Sequence, residues 1–168
     1  MKYTSNGDID GSFKTFGGDF PCTTKKAITF LGATTDAWGN DGGALDGAAI
    51  FTVTGIVKLK VLGEVNTSLT GGSTVEVGIA GATAIFMPQE TDTNLDAGHI
   101  WLNEGTPAAY YIIGEEEAAI DNFPTYILNG QDVIFTVSGG ANTETGQIDF
   151  YAMWRPISSD GDLVASSL

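Results

Sequence analysis

His99 is the one histidine of this chain and Cys22 its one cysteine. A Ser-His-Asp nucleophile or a His-based metal site would have to use His99, which opens the stretch Ala97-Gly98-His99-Ile100-Trp101. No Gly-x-Ser-x-Gly elbow accompanies it. Cys22 excludes an intramolecular disulfide and a Cys-based zinc site within one chain. It has no His or Arg near it in sequence, although Lys25 and Lys26 follow, so it reads as a small loop residue before the first strand. Paired carboxylates could cleave glycosidic bonds. With 21 acids, however, chance pairs are certain and carry no signal. Gly17-Gly18 and Gly72-Ser73 lack the Gly-Lys-Ser/Thr of a phosphate loop. No enzyme, cofactor or catalytic residue is expected.

The densest polar cluster is Asp36-Ala37-Trp38-Gly39-Asn40-Asp41-Gly42-Gly43-Ala44-Leu45-Asp46-Gly47. Oxygen-bearing side chains at that density could wrap a hard cation, but the spacing is not that of an EF-hand. The better reading is a structured loop, with Asx side chains holding turns and Trp38 as its anchor. Asp8-x-Asp10-Gly11 matches only part of a calcium loop, with Phe13 where glycine belongs. No metal site is assigned.

The elements that would position these residues show a period of two. In Gln147–Arg155, Ile148, Phe150, Ala152 and Trp154 fall on one face and Asp149, Tyr151, Met153 and Arg155 on the other. Similar segments are Ala27–Leu31, Ala49–Thr54, Ile56–Leu62, Thr74–Ala80, Thr83–Met87, His99–Asn103, Ala108–Ile113 and Gln131–Ser138. Gly55 marks a bulge or bend, Gly81 a tight turn, and Pro88 confines its strand to an edge or ends it. About eight strands with turns every 8–15 residues predict an all-β fold, an antiparallel β-sandwich or jelly roll. Glu115–Phe123 is the one helix candidate, with acids at its N-terminal end. The 23 glycines are spread along the chain and suit its turns.

At 168 residues and 42% hydrophobic content, the chain suits one domain with a full core. Its expected organisation is an arm over residues 1–26, a sandwich over 27–156 and a mobile Ser- and Asp-rich tail over 157–168. The arm lacks a sustained period but carries Tyr3, Phe13, Phe16 and Phe20, rings that need a surface supplied by packing. That surface is either the chain's own domain or a neighbouring subunit, and these four are the candidate interaction residues. The net charge is −14. All lysines lie in residues 1–60, and beyond them Arg155 is the one basic residue against fifteen acids. Such acidity repels phosphate, so no nucleic-acid partner is expected. Met1–Lys14 lacks the apolar core of a signal peptide, and no apolar stretch approaches the ~20 residues of a membrane span. No membrane partner is expected, and the chain is expected to be made and folded in a cytoplasm.

Two stretches carry a resemblance. Ala33-Thr34-Thr35-Asp36-Ala37-Trp38-Gly39-Asn40-Asp41-Gly42-Gly43, with Phe51-Thr52-Val53-Thr54-Gly55, is one. Gly146-Gln147-Ile148-Asp149-Phe150-Tyr151-Ala152-Met153-Trp154-Arg155-Pro156 is the other. Over roughly residues 27–161 the chain resembles small β-rich virion proteins of tailed bacteriophages encoded beside head and tail structural genes. The resemblance implies a virion component. Its first form is a capsid decoration (cement) protein, a homotrimer partnered with the major capsid protein. Other implied forms are a head fibre base, a tail component or a receptor-binding module. A separate reading is a carbohydrate-binding or hydrolase domain using Trp38, Trp101 and Tyr110 as exposed platforms.

Overall fold

The computed structural model describes residues 20–103, 107–108 and 124–168. Tyr3, Phe13, Phe16, Tyr110 and the helix candidate Glu115–Phe123 lie outside the described residues.

Ten strands are present among the described residues. In chain order they are β1 (Cys22–Thr29), β2 (Ala48–Thr54), β3 (Ile56–Thr70), β4 (Thr74–Ile79) and β5 (Ala82–Thr91), then β6 (Ile100–Trp101), β7 (Tyr126–Asn129), β8 (Val133–Ser138), β9 (Thr145–Pro156) and β10 (Asp162–Ala165). They form two antiparallel sheets. The first runs β1-β9-β3-β6, with β7 also paired to β3, and the second runs β10-β2-β8-β4-β5. The all-β antiparallel sandwich is therefore the fold.

The two-residue period decides what goes inside. Ile148, Phe150, Ala152 and Trp154 of β9 are all buried, as the alternation predicts. On β3 the same alternation buries Val57, Leu59, Val61 and Val65. From the second sheet, Phe51, Val75, Val77, Phe135 and Val137 meet them. Phe135 is the hub between the sheets. Its ring centroid lies 5.2 Å from Phe30, 5.9 Å from Phe150 and 6.2 Å from Trp38.

Gly55 is where the chain leaves one sheet and enters the other, since β2 and β3 flank it and belong to different sheets. Its φ of 60° is in the left-handed region that glycine alone occupies freely. Pro88 sits inside β5, an edge strand, where its missing N–H breaks no ladder.

Four expectations are corrected. The first strand begins at Cys22, inside the segment read as arm, so Cys22 is a strand residue rather than a loop residue. The strand read as His99–Asn103 shrinks to Ile100–Trp101, bridged at Ile100 by Ala108. The strand Ile56–Leu62 continues to Thr70, where Thr67 and Thr70 pair with Gln147 and Thr145. The tail over 157–168 is not a loose end, because β10 pairs with β2 and Leu163 is buried. The Thr24 hydroxyl donates to the Leu163 carbonyl at 3.1 Å, and the Trp154 indole N–H donates to the same hydroxyl. These bonds join β1 to β10 and close one open side of the sandwich.

Candidate interaction face

The loop around Trp38 is a structured one. Asp46 accepts the N–H of Val137 through one oxygen and that of Gly42 through the other. Asp41 accepts the N–H of Gly140, and its own N–H donates to the Asn142 side chain. The Asn40 amide donates to the Gly32 carbonyl. These side chains hold turns and splice the loop to the connection after β8. Gly39, at φ 99°, lies so close to Thr143 that a Cβ would stand 2.3 Å from its carbonyl oxygen. Among the described residues, no group of three or more His, Cys, Asp or Glu side chains is placed to share a metal ion.

The His99 ring stays with its own loop, its Nδ1 lying 3.3 Å from the Asn94 carbonyl oxygen, while its carbonyl accepts the N–H of Val65 on β3. Cys22 is half-buried, and burial, with Asp162 adding to it, pushes its thiol above the ordinary range. A thiol raised in this way is a poor nucleophile. The proposed sugar platforms are corrected too. Trp101 is 0% exposed and Trp38 7%, so neither offers a ring face to a ligand. No helix among the described residues is long and apolar enough to cross a membrane.

The outward face of the first sheet is different in kind. Residues paired directly across antiparallel strands share a face, so the register arranges this surface in rows. Ile127, Lys58 and Arg155 make one row across β7, β3 and β9. Lys60, Met153 and Thr23 make the next, across β3, β9 and β1; Leu62, Tyr151 and Lys25 follow, then Glu64, Asp149 and Ala27. The described residues include five basic ones, Lys25, Lys26, Lys58, Lys60 and Arg155. All but Lys26 stand on this face. Lys26 points to the inner side of β1, where its Nζ donates to the main-chain oxygens of Ser166 and Leu168. A chain of net charge −14 thus gathers four of its five described Lys and Arg side chains on one surface.

The two acids of that face have partners within it. Lys25 Nζ lies 2.6 Å from Asp149 and 5.3 Å from the centre of the Tyr151 ring. The Tyr151 hydroxyl donates to Glu64 at 2.9 Å. At the other end Phe20 lies over Lys58 and Lys60, whose Nζ atoms stand 5.3 and 5.6 Å from its ring centre. Cation–π contact holds the ring there. Of the four expected interaction residues, Phe20 is the one the structure describes, and it packs on its own chain. Exposed aliphatic surface adjoins this end, with Ile127 64% exposed on β7. Sequence reading located the positive charge in residues 1–60 but could not gather Lys58, Lys60, Lys25 and Arg155 on one face. That needed the pairing of β3 with β9 and of β9 with β1.

These contacts set an alkaline limit. The Asp149 hydrogen bond, then that of Tyr151, holds the Lys25 ammonium above its ordinary pKa. Burial first, then the bond to Glu64, raises Tyr151, and burial raises Tyr126. Each group has a folded pKa above its unfolded one. Each contribution is therefore complete below about pH 10 and is lost as pH rises through the folded values. Urea midpoints should fall as pH rises above about 10, and fall less in Tyr151→Phe. An equal decline in the variant would contradict this.

No family description, curated protein or solved structure matches this chain.

Proposed function

We propose that this chain is a virion structural protein that binds the outside of a bacteriophage head shell as a homotrimer and stabilises it. The observation that carries the reading is the strand order. We read β1-β9-β3-β6 facing β2-β8-β4-β5, with β10 added beside β2, as a jelly-roll winding of the sandwich. Only β4 to β5 and β6 to β7 stay within a sheet; every other connection crosses between them. Viral capsid domains and lectins are built on this winding. The support is fold-level analogy, joined to the resemblance of the Ala33–Gly43 and Gly146–Pro156 stretches to phage virion proteins.

The remaining features fit assembly better than catalysis. His99 and Cys22 are each tied into local structure, and the dense Asp loop is used to hold turns. The lectin reading loses Trp38 and Trp101, both buried. A shell partner, a trimer, and a place on the capsid surface after synthesis in the host cytoplasm belong to this proposal.

Copy number in purified particles tests it. Quantitative mass spectrometry should find the chain in hundreds of copies on the head, and particles lacking it should lose DNA at lower temperature. A handful of copies at the tail, or none, would overturn the reading. An arm deletion used beside this test should remove residues 1–19 only. Cutting at residue 24 would remove the start of β1 and confuse loss of tether with loss of fold.

A further inference from the structure

We propose that Glu76, with Thr136 beside it, forms a small binding site for an alkylammonium group on the outward face of the second sheet. The site is independent of where the protein sits in a particle.

Strand alternation sets its position. Val75 and Val77 of β4, and Phe135 and Val137 of β8, are buried in the core, so Glu76 and Thr136 between them face outward. The register pairs these two residues directly, which makes their side chains neighbours. Both side chains lack a partner. Glu76 is only 9% exposed, and its carboxylate forms no hydrogen bond or ion pair among the described residues. The Thr136 hydroxyl is enclosed and also unpaired. A carboxylate largely withdrawn from water and left without a donor costs stability, and a bound donor would offset that cost.

The recess is bounded along β4. Thr74 faces outward two residues before Glu76, and its hydroxyl lies 2.8 Å from that of Ser138. The Gln89 amide donates to the same Ser138 oxygen at 3.0 Å. Gly78 stands two residues after Glu76, and a Cβ there would overlap the Ala82 carbonyl oxygen, so the β4–β5 hairpin crosses at that point. Same-face positions on a strand are about 6.8 Å apart, and both bounds therefore lie close to Glu76. They suit a small head group rather than an extended ligand.

The chemistry of the recess selects the head group. Its carboxylate accepts only, and its hydroxyls can accept. No described Lys or Arg supplies the opposite charge. Lys25, Lys58, Lys60 and Arg155 stand on the outward face of the other sheet, and Lys26 is tied to Ser166 and Leu168. An ammonium group brings both a positive charge and N–H donors, which would bond Glu76 with charge assistance and give Thr136 its missing partner. A free amine and a lysine side chain of a partner protein share this chemistry.

Butylammonium titrated into the intact chain, with backbone amide NMR shifts followed, tests the site. Saturable shifts are expected at Glu76, Gly78 and Thr136. Butanol lacks the charge and tetramethylammonium lacks the N–H, so neither should produce them. Glu76→Gln should weaken binding by about tenfold or more. It should also leave the urea midpoint equal or higher, because it removes an unpartnered carboxylate. Acetyl-lysine methylamide separates the sources: binding as tight as butylammonium supports a protein lysine, and much weaker binding supports a free amine. Absence of saturable shifts at these amides would overturn the proposal, as would equal shifts with tetramethylammonium. A lower urea midpoint in Glu76→Gln would also overturn it, since the carboxylate would then have a partner within the fold.

Discussion

Phe135→Ala should remove about 3–5 kcal/mol of folding free energy, the loss usual for a large buried aromatic cut to alanine. Phe135 is fully buried on β8 of the second sheet. Its ring packs near Phe150 on β9 of the first sheet, and also near Phe30 just after β1 and Trp38 within the Asp-rich loop. One side chain thus ties the two sheets to each other and to the loop. Its removal leaves a cavity walled by three other rings, which cannot collapse without moving both sheets. At about 2–4 °C per kcal/mol for a domain of this size, the melting temperature should drop by roughly 10 °C. Ile127→Ala is the control. That residue is 64% exposed, so its loss should stay near 0.5 kcal/mol. Urea denaturation of both variants decides the matter. A Phe135→Ala loss below about 1.5 kcal/mol would mean that the sheets are held elsewhere.

Asp92→Ala is expected to cost about 2–4 kcal/mol, although no ion pair to Asp92 is formed among the described residues. Asp92 and Ser73 are both 0% exposed. The carboxylate accepts the N–H of Gly72 at 2.9 Å, and the N–H and hydroxyl of Ser73 at 3.2 and 3.0 Å. The Ser73 hydroxyl also lies 2.6 Å from that of Thr143. Three chain segments meet here: the turn between β3 and β4, the short 3-10 turn Asp92–Asn94, and the connection before β9. Alanine strips the acceptor and leaves buried donors unpaired, the costly half of a broken hydrogen bond. Asp92→Asn keeps an acceptor oxygen of similar shape but brings two donors that need partners, so an intermediate loss is expected. Amide exchange at Gly72 and Ser73 should accelerate in Asp92→Ala more than at core strand positions. If exchange there stays unchanged, those amides have another acceptor and the assigned role fails.

The inside and outside of each strand were legible in the sequence. Ile148, Phe150, Ala152 and Trp154 alternate with polar neighbours, and that period is a local property of an extended backbone. Turns at Gly81, the bend at Gly55 and the edge position forced by Pro88 were legible for the same reason, since each depends on one residue's backbone chemistry. The anchoring of the Asp-rich loop by Trp38 followed from composition. What the tertiary structure alone decided is everything set by pairing. Gly55 looked like a bend within one strand, yet it passes the chain from one sheet to the other. Val164 and Leu163 looked like part of a loose tail, because a four-residue strand is too short to show a period and is held by β2. Asp92, Ser73 and Thr143 carry no motif and meet only because three distant segments converge. Lys25, Lys58, Lys60 and Arg155 are spread over 130 positions of sequence and stand together because β1, β9 and β3 are neighbours. A side chain's face is dictated by its own strand, whereas its neighbours are dictated by which strands pair, and pairing is a property of the whole core.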